Sequence, residues 1–249
     1  MEAIRPKAMS IGGLDPSGGA GLLADIKTFE QHKVIGYGCC SAITAQTSAE
    51  VFSVSWLSNN EILTQVRPLL EEDLQYCKIG IMPGAKATLE LIEDLKMLQP
   101  GIRIILDPVL KASAGFNFHA SQEFSVWKEI LSLLYLITPN AIEAQQLTGI
   151  NNAEGAALEL SASCSVLLKG GHRTQQLGYD ILYTQNNIHQ FSPGPENVYP
   201  KHGSGCVLSA AITSCLAKGM TLTESCSNGK RYTEKLLASH SSLIGYHHI

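Results

Sequence analysis

The sequence predicts an α/β fold, a mostly parallel sheet with helices on both faces. Three observations predict it. Short β-branched or apolar runs alternate with stretches of helical period along the whole chain, as successive strand-helix units require. No interior linker, internal repeat or low-complexity segment breaks that alternation, so a single domain covering 1–249 is expected. Polar, glycine-bearing motifs follow directly on apolar runs, and in open α/β sheets the carboxyl ends of the strands are where ligands collect.

Taken in order, the first strand is Ala8 to Gly12, and a helix near 19–32 follows it. Between them lies Asp15-Pro16-Ser17-Gly18-Gly19-Ala20-Gly21. Gly19, Gly21 and Ala24 meet the loose G-x-G-x-x-A dinucleotide pattern, but that pattern also needs an acidic residue about 20 positions on. Cys39, Cys40 and Ser41 stand there instead, and no Gly-Lys-Ser/Thr follows the glycines. A phosphate turn and a purely structural turn both stay open. The second strand, Gly38 to Ala45, ends at Gln46, whose amide can cap a loop or read a heteroaromatic ring by paired donor and acceptor. A helix near 59–72, the strand Cys77 to Ile81 and a helix near 84–97 come next. The strand Ile102 to Leu106 runs into Asp107-Pro108-Val109.

A helix near 120–132 and the strand Leu134 to Thr138 then lead to Thr138-Pro139-Asn140-Ala141-Ile142-Glu143. Asn140 can cap the helix of 140–147, and Glu143 lies one turn inside it. Two carboxylates at neighbouring strand ends are also what Mg²⁺ requires when it is held through water and substrate phosphates. After a helix near 153–162, the strand Ser165 to Leu168 ends in Lys169-Gly170-Gly171-His172. Asp180 opens a hairpin that runs to Phe191 and turns at Asn186-Asn187.

The last two helices are 204–217 and one beginning at Thr221, where Glu224 completes a capping box. The first of them carries Val207, Leu208, Ala211, Ile212, Cys215 and Leu216 as one buried stripe, and Lys218-Gly219 close it. It is entered through His202-Gly203-Ser204-Gly205-Cys206. Gly203 and Gly205 let the backbone approach a ligand and turn free amides toward it. Those amides and the helix dipole make an anion hole suited to phosphate; the alternative is a plain loop with Cys206 as a small buried residue. In the dipole's field an ordinary thiol near ~8.5 is expected to titrate about one and a half units lower, and bound phosphate to push it back up.

Composition narrows the function classes. Net charge is −4 with no run of Lys or Arg, which gives nucleic-acid and anionic-membrane partners no electrostatic support. Hydrophobic residues make up 45% and mean hydropathy is +0.07. No stretch approaches the ~18 apolar residues of a membrane span, and MEAIRPKAMSIGG lacks the apolar core of a signal peptide, so a cytoplasmic location is expected. Seven cysteines without paired spacing read as reduced, mostly structural thiols. There is no CxxC and no HExxH, so a zinc site is not expected.

With these residues in order, the chain resembles the ribokinase superfamily, and within it the hydroxymethylpyrimidine/phosphomethylpyrimidine kinases of thiamin biosynthesis. DPSGGAG with Ala24-Asp25-Ile26-Lys27-Thr28-Phe29, then TAQ, KIG, LDPV, TPNxxE, LKGGH and HGSGC, follow that family's order from about residue 8 to 218. The resemblance implies a ribokinase-like three-layer α/β/α sandwich, ATP and Mg²⁺, a homodimer, and two phosphoryl transfers. These run from hydroxymethylpyrimidine to its monophosphate and then to the diphosphate. It assigns the pyrimidine pocket to Gly13, Asp25, Gln46 and Val109, and the Mg²⁺ positions to Asp107 and Glu143. Asn140, Lys169 and Asp180 fall on the nucleotide side; Gly203, Ser204, Gly205 and Cys206 form the anion hole, with Cys206 where most of the superfamily has a general-base aspartate. The chain departs from the family at Ile81 (usually Met), at Thr47-Ser48, at Leu110 to Gly115, and at Lys201. These touch pocket and lid. Pyridoxal, pyridoxine and pyridoxamine kinases share the fold and are the competing expectation. A non-catalytic binder of the same rings and a cysteine hydrolase are the other classes, the last without an assignable orienting acid.

Overall fold

The computed structural model describes residues 5–110, 123–171, 177–194 and 197–248. Its strands are β1 Lys7–Leu14, β2 Ile35–Gln46, β3 Val51–Trp56, β4 Tyr76–Ile79, β5 Arg103–Leu106, β6 Leu136–Ile137, β7 Ser165–Leu168, β8 Asp180–Tyr183 and β9 Ile188–Phe191. Its helices are α1 Gly21–Gln31, α2 Asn59–Val66, α3 Ala85–Leu98, α4 Phe124–Leu133, α5 Ala141–Thr148, α6 Ala153–Leu160, α7 Ser204–Ala217 and α8 Leu222–Ala238.

One sheet in the order β3-β2-β1-β4-β5-β6-β7-β8-β9 gathers all nine described strands. The six from β2 to β7 pair in parallel, while β3, β8 and β9 pair antiparallel at the two edges. Alternating side chains divide the core. Met9, Ile11, Ile79, Ile104 and Leu106 pack with Ile62, Leu91, Trp127, Leu147 and Ala157 from α2 to α6. Ile105, Leu136, Leu167 and Leu182 point the other way, onto Leu208, Ile212 and Leu216 of α7 and Cys226 of α8. Ala24 of α1 joins that second layer through Val207, Ala211 and Tyr232. The result is the expected helix-sheet-helix sandwich.

Four expectations change. The helix near 59–72 stops at Val66 and continues as a 3₁₀ turn over Arg67–Glu72, because Pro68 has no N–H and its ring crowds the preceding turn. The strand Leu134 to Thr138 shortens to two paired residues. β3, in a stretch with no predicted element, pairs antiparallel with β2 at the edge, its side chains mostly half-buried or exposed. α7 is buried all round from Val207 to Leu216 rather than along one stripe, since the sheet covers one side and α1 and α8 the other. Its polar residues follow suit by bonding back along the helix: Thr213 Oγ1 donates to the Ser209 carbonyl and Ser214 Oγ to that of Ala210. The start of the helix near 120, the segment from Lys111 to Gly115 and His172 lie outside the described residues.

The parallel ladder extends past its strands. Asp107 N–H donates to the Ile79 carbonyl, Thr138 N–H to Leu106 and Lys169 N–H to Pro139. Asp107, Thr138 and Lys169 therefore stand side by side at the carboxyl edge of the sheet, with the N-terminus of α7 facing them.

Candidate active site

Asp107 is the centre of the polar cluster. Its Oδ1 accepts from Lys169 Nζ at 2.8 Å and from Thr138 Oγ1 at 3.3 Å, while Ser209 Oγ of α7 lies 3.5 Å from Oδ2. Burial alone raises a carboxyl, but Lys169 and Lys78 outweigh it here and hold Asp107 below the usual carboxylate range. Lys169 Nζ also stands 3.6 Å from Glu143 Oε2. Burial lifts the Glu143 carboxyl above its ordinary value, opposed by Lys169 and reinforced by the negative charge of Asp107. Burial lowers an ammonium, yet the two carboxylates raise Lys169 well above the lysine range. One cation thus bridges two carboxylates.

Asn140 and Glu143 form a reciprocal capping box at the start of α5, Asn140 Oδ1 accepting from Glu143 N–H at 2.9 Å and Glu143 Oε2 from Asn140 N–H at 2.7 Å. Asn140 is also bridged to Lys169 across the ladder. Asp180 lies apart from the Asp107 cluster: its Oδ1 accepts from Gly170 N–H at 2.7 Å and its Oδ2 faces Lys230 of α8 at 3.4 Å. It thereby sets the turn after Lys169.

The α7 entrance completes the cluster. Gly203 is the N-cap at φ +77°, and a Cβ there would overlap the Gly19 carbonyl and reach within 2.6 Å of Ala20 Cα. Only glycine lets the two loops meet this closely. A Cβ on Gly205 would point into the cluster, 3.4 Å from both Asp107 Oδ2 and Lys169 Nζ. The carboxylate of Asp107 and the ammonium of Lys169 thus stand against the first turn of α7. Two carboxylates with phosphate and water oxygens suit Mg²⁺; among the described residues no group of three or more His, Cys, Asp or Glu gathers as an all-protein metal cage.

Cys206 overturns an expectation. Its sulfur accepts the Gly21 N–H at the start of α1 and has Lys78 near it, both of which favour the thiolate. Burial, with Asp25 and Asp107 adding negative charge, outweighs them and pushes the thiol up to about 11. The helix terminus favours the thiolate, and loss of water around the sulfur outweighs it.

Beneath Cys206 lies a pair the motif reading missed in half. Asp25, expected at the ring pocket, accepts from Lys78 Nζ at 2.7 Å and Ser10 Oγ at 2.6 Å on Oδ2, and its buried Oδ1 has no partner. Both side chains are fully buried. Burial lowers an ammonium, but Asp25 and Asp107 hold Lys78 above the ordinary lysine range. The available signal was a lysine inside the four-residue buried strand β4, since such a charge needs a partner. Gly13, at the end of β1, is packed against the side chain of Ile81, whose carbonyl accepts from Ser41 Oγ at 2.7 Å. Gln46 ends β2 and Val109 follows Asp107, both partly exposed. Lys201 is buried and donates to the His240 carbonyl, so this departure serves the C-terminal segment rather than the phosphate edge.

Comparison with known proteins decides the family. Residues 15–249 match the family model for phosphomethylpyrimidine kinase. The chain belongs to the phosphomethylpyrimidine kinase family. A hydroxymethylpyrimidine/phosphomethylpyrimidine kinase of Rhizobium meliloti is 32% identical over 242 residues, covering 93% of this chain and 90% of the relative. The crystal structure of a phosphomethylpyrimidine kinase from Clostridium difficile superposes with a TM-score of 0.78 at 33% identity, over 92% of this chain and 98% of that one. A pyridoxal kinase from Staphylococcus aureus, solved in complex with pyridoxal, has a TM-score of 0.83 over 98% of this chain and 92% of its own, at 23% identity. That last likeness is one of fold. The chain thus has the fold of the ribokinase-like vitamin kinases, and the resemblance expected from the motifs holds across the family model.

Proposed function

We propose that this chain, as one kinase domain over 1–249, transfers the γ-phosphoryl group of ATP to hydroxymethylpyrimidine and then to its monophosphate, the reactions named for its relatives. One observation carries the mechanism: the first turn of α7 stands against the Lys169-Asp107 pair, where a Cβ on Gly205 would lie 3.4 Å from both side chains. Phosphoryl transfer needs positioning and charge neutralisation more than covalent help from the protein. Lys169 and the amides of residues 204 to 206 supply positive potential where the transferred group gathers charge. Asp107 and Glu143 would hold Mg²⁺, which neutralises triphosphate charge when bound. Asn140 and Asp180 shape the nucleotide side through the α5 cap and the turn after Lys169.

On the acceptor side, Gly13, Gln46 and Val109 line the expected ring pocket, and the unpartnered Asp25 Oδ1 offers an acceptor to an amino group. In this reading Cys206 takes the hydroxymethyl proton. Burial keeps it mostly a thiol at neutral pH, and only the minor thiolate form can accept that proton as the oxygen attacks, becoming the thiol. A second reading takes pyridoxal as the acceptor, since Ile81, where the family usually has methionine, lies against Gly13. The reading includes a cytoplasmic homodimer, for which light scattering should return twice 26.8 kDa.

The test is ADP release by the purified protein with ATP and Mg²⁺, offering hydroxymethylpyrimidine, its monophosphate or pyridoxal. Turnover of both pyrimidines is expected. Turnover of pyridoxal alone would move the chain to vitamin B6 salvage, and no turnover with any acceptor would leave a binding protein.

A further inference from the structure

Two loops 187 residues apart in sequence are joined by a side-chain hydrogen bond, His202 Nε2 to Asp15 Oδ2 at 2.8 Å. Asp15 is already the organiser of the glycine-rich loop after β1. Its Oδ1 accepts from Ser17 N–H at 2.8 Å, and its Oδ2 from Ser17 Oγ and Ala20 N–H, each at 2.9 Å. His202 precedes the N-cap of α7, and its ring lies on Gly19, where a Cβ would sit 2.9 Å from Cδ2. Its backbone N–H donates to the Leu243 carbonyl at 2.8 Å, so the C-terminal segment is tied in at the same point.

The ring is 9% exposed and Asp15 2%. His202 Nδ1 is buried without a hydrogen-bond partner, which leaves Asp15 as the group that fixes the ring's orientation. Burial raises a carboxyl, but the bonds from His202 and Ser17 bring Asp15 down to about 2. It is therefore ionised across the working range and accepts from Nε2–H. The same junction places Gly203 against Gly19 and Ala20, and brings Gly21 N–H to the Cys206 sulfur.

We infer that His202, through Asp15, is a positioning residue for phosphoryl transfer: the pair locks the loop after β1 onto the loop before α7 and so sets the geometry of the anion hole. His202 touches no reacting atom. It acts through the backbone of residues 203 to 206, which must meet the transferred group at hydrogen-bond distance, and a displacement of about 1 Å there costs up to ~10²-fold in rate. This inference rests on the kinase reading, and the experiment separates the two.

His202→Ala, His202→Gln, Asp15→Asn and the double variant His202→Ala/Asp15→Asn are assayed beside the parent on hydroxymethylpyrimidine and its monophosphate. Rates are expressed per competent site, counted by stoichiometric binding of a non-hydrolysable ATP analogue, at a temperature below every variant's melting point. His202→Ala is expected to lower kcat about 10- to 100-fold for both acceptors alike, with the acceptor KM changed less than about threefold. His202→Gln, whose amide can donate where Nε2 does, should recover most of that loss. The fold loss that Asp15→Asn causes in the His202→Ala background should be clearly smaller than the loss it causes in the parent, because the two side chains act as a pair.

A His202→Ala kcat within about threefold of the parent, losses that multiply in the double variant, or a His202→Gln as impaired as His202→Ala would each overturn the inference. If His202→Ala does not fold, His202→Gln against Asp15→Asn decides: a parent-like Gln variant with an impaired Asn variant supports the pair, and equal rates overturn it. A parent enzyme silent with both pyrimidines would instead overturn the kinase reading, and the inference with it.

Discussion

Cys206 concentrates the conflict between local and global electrostatics. The first turn of a helix stabilises a thiolate by up to ~2 kcal/mol, and Lys78 adds to that, yet burial and two neighbouring carboxylates leave the thiol at about 11. At pH 7 the thiolate fraction is then on the order of 10⁻⁴. A base of that kind serves an alcohol and is superfluous for a phosphate monoester, which is already ionised. Cys206→Ala is therefore expected to slow the first transfer ~10²-fold or more and the second less than tenfold, measured as separate kcat values. In the parent the first transfer should climb with pH between 7 and 9, and in the variant that climb should vanish. Equal losses in both transfers would remove the base role. Asp107 and Lys169 were legible as candidates because each follows an apolar run directly; Lys78 was not, because a lysine within the KIG motif shows no sign of its partner 53 residues away.

At the scale of elements, caps and breaks were written locally and pairings were not. The boxes Asn140/Glu143 and Thr221/Glu224 form as their spacing predicts, because each is satisfied within one turn. The entrance of α7 depends instead on a distant loop. Gly203→Ala puts a Cβ at φ +77° against Gly19 and Ala20, and should cost about 1–3 kcal/mol in urea denaturation together with most of the activity. Unchanged stability would mean that the loops part easily.

The C-terminal segment gives an element-scale pH effect. His247 Nδ1 lies 3.1 Å from Tyr232 Oη, and Tyr232 meets His32 edge-on. Burial, with Lys27 adding to it, lowers His247 to about 4; burial lowers His32 as well. An unfolded histidine titrates near ~6.5, so between about 6.5 and 4 the unfolded chain binds more protons than the folded one and stability is lost as the pH drops. His247→Gln should flatten that decline in acid melting curves. A decline as steep as the parent's would place it elsewhere.

For the whole molecule, a ligand that binds only the folded state adds RT ln(1 + [L]/Kd), about 2.7 kcal/mol at a hundredfold excess over Kd. For a chain of this size that is a rise of about 5 to 10 °C in Tm. ATP with Mg²⁺ is expected to give it, and Asp107→Asn to lose the part that EDTA removes from the parent. A rise unaffected by EDTA would take Asp107 and Glu143 out of metal binding. By itself the sequence determined the α/β class, the order of the elements, the caps and the line of polar motifs at the strand ends. All of these rest on periodicity and on contacts within a few residues. Tertiary structure alone decided that β3 joins the sheet edge, that α7 is buried all round, that Lys169 bridges Asp107 and Glu143, that Lys78 neutralises Asp25, that His202 meets Asp15, and that Cys206 titrates up rather than down. Each of these depends on what surrounds a residue in three dimensions: pairing across the chain and loss of water are set by distant segments, and charge in a low-dielectric interior responds to every neighbour at once.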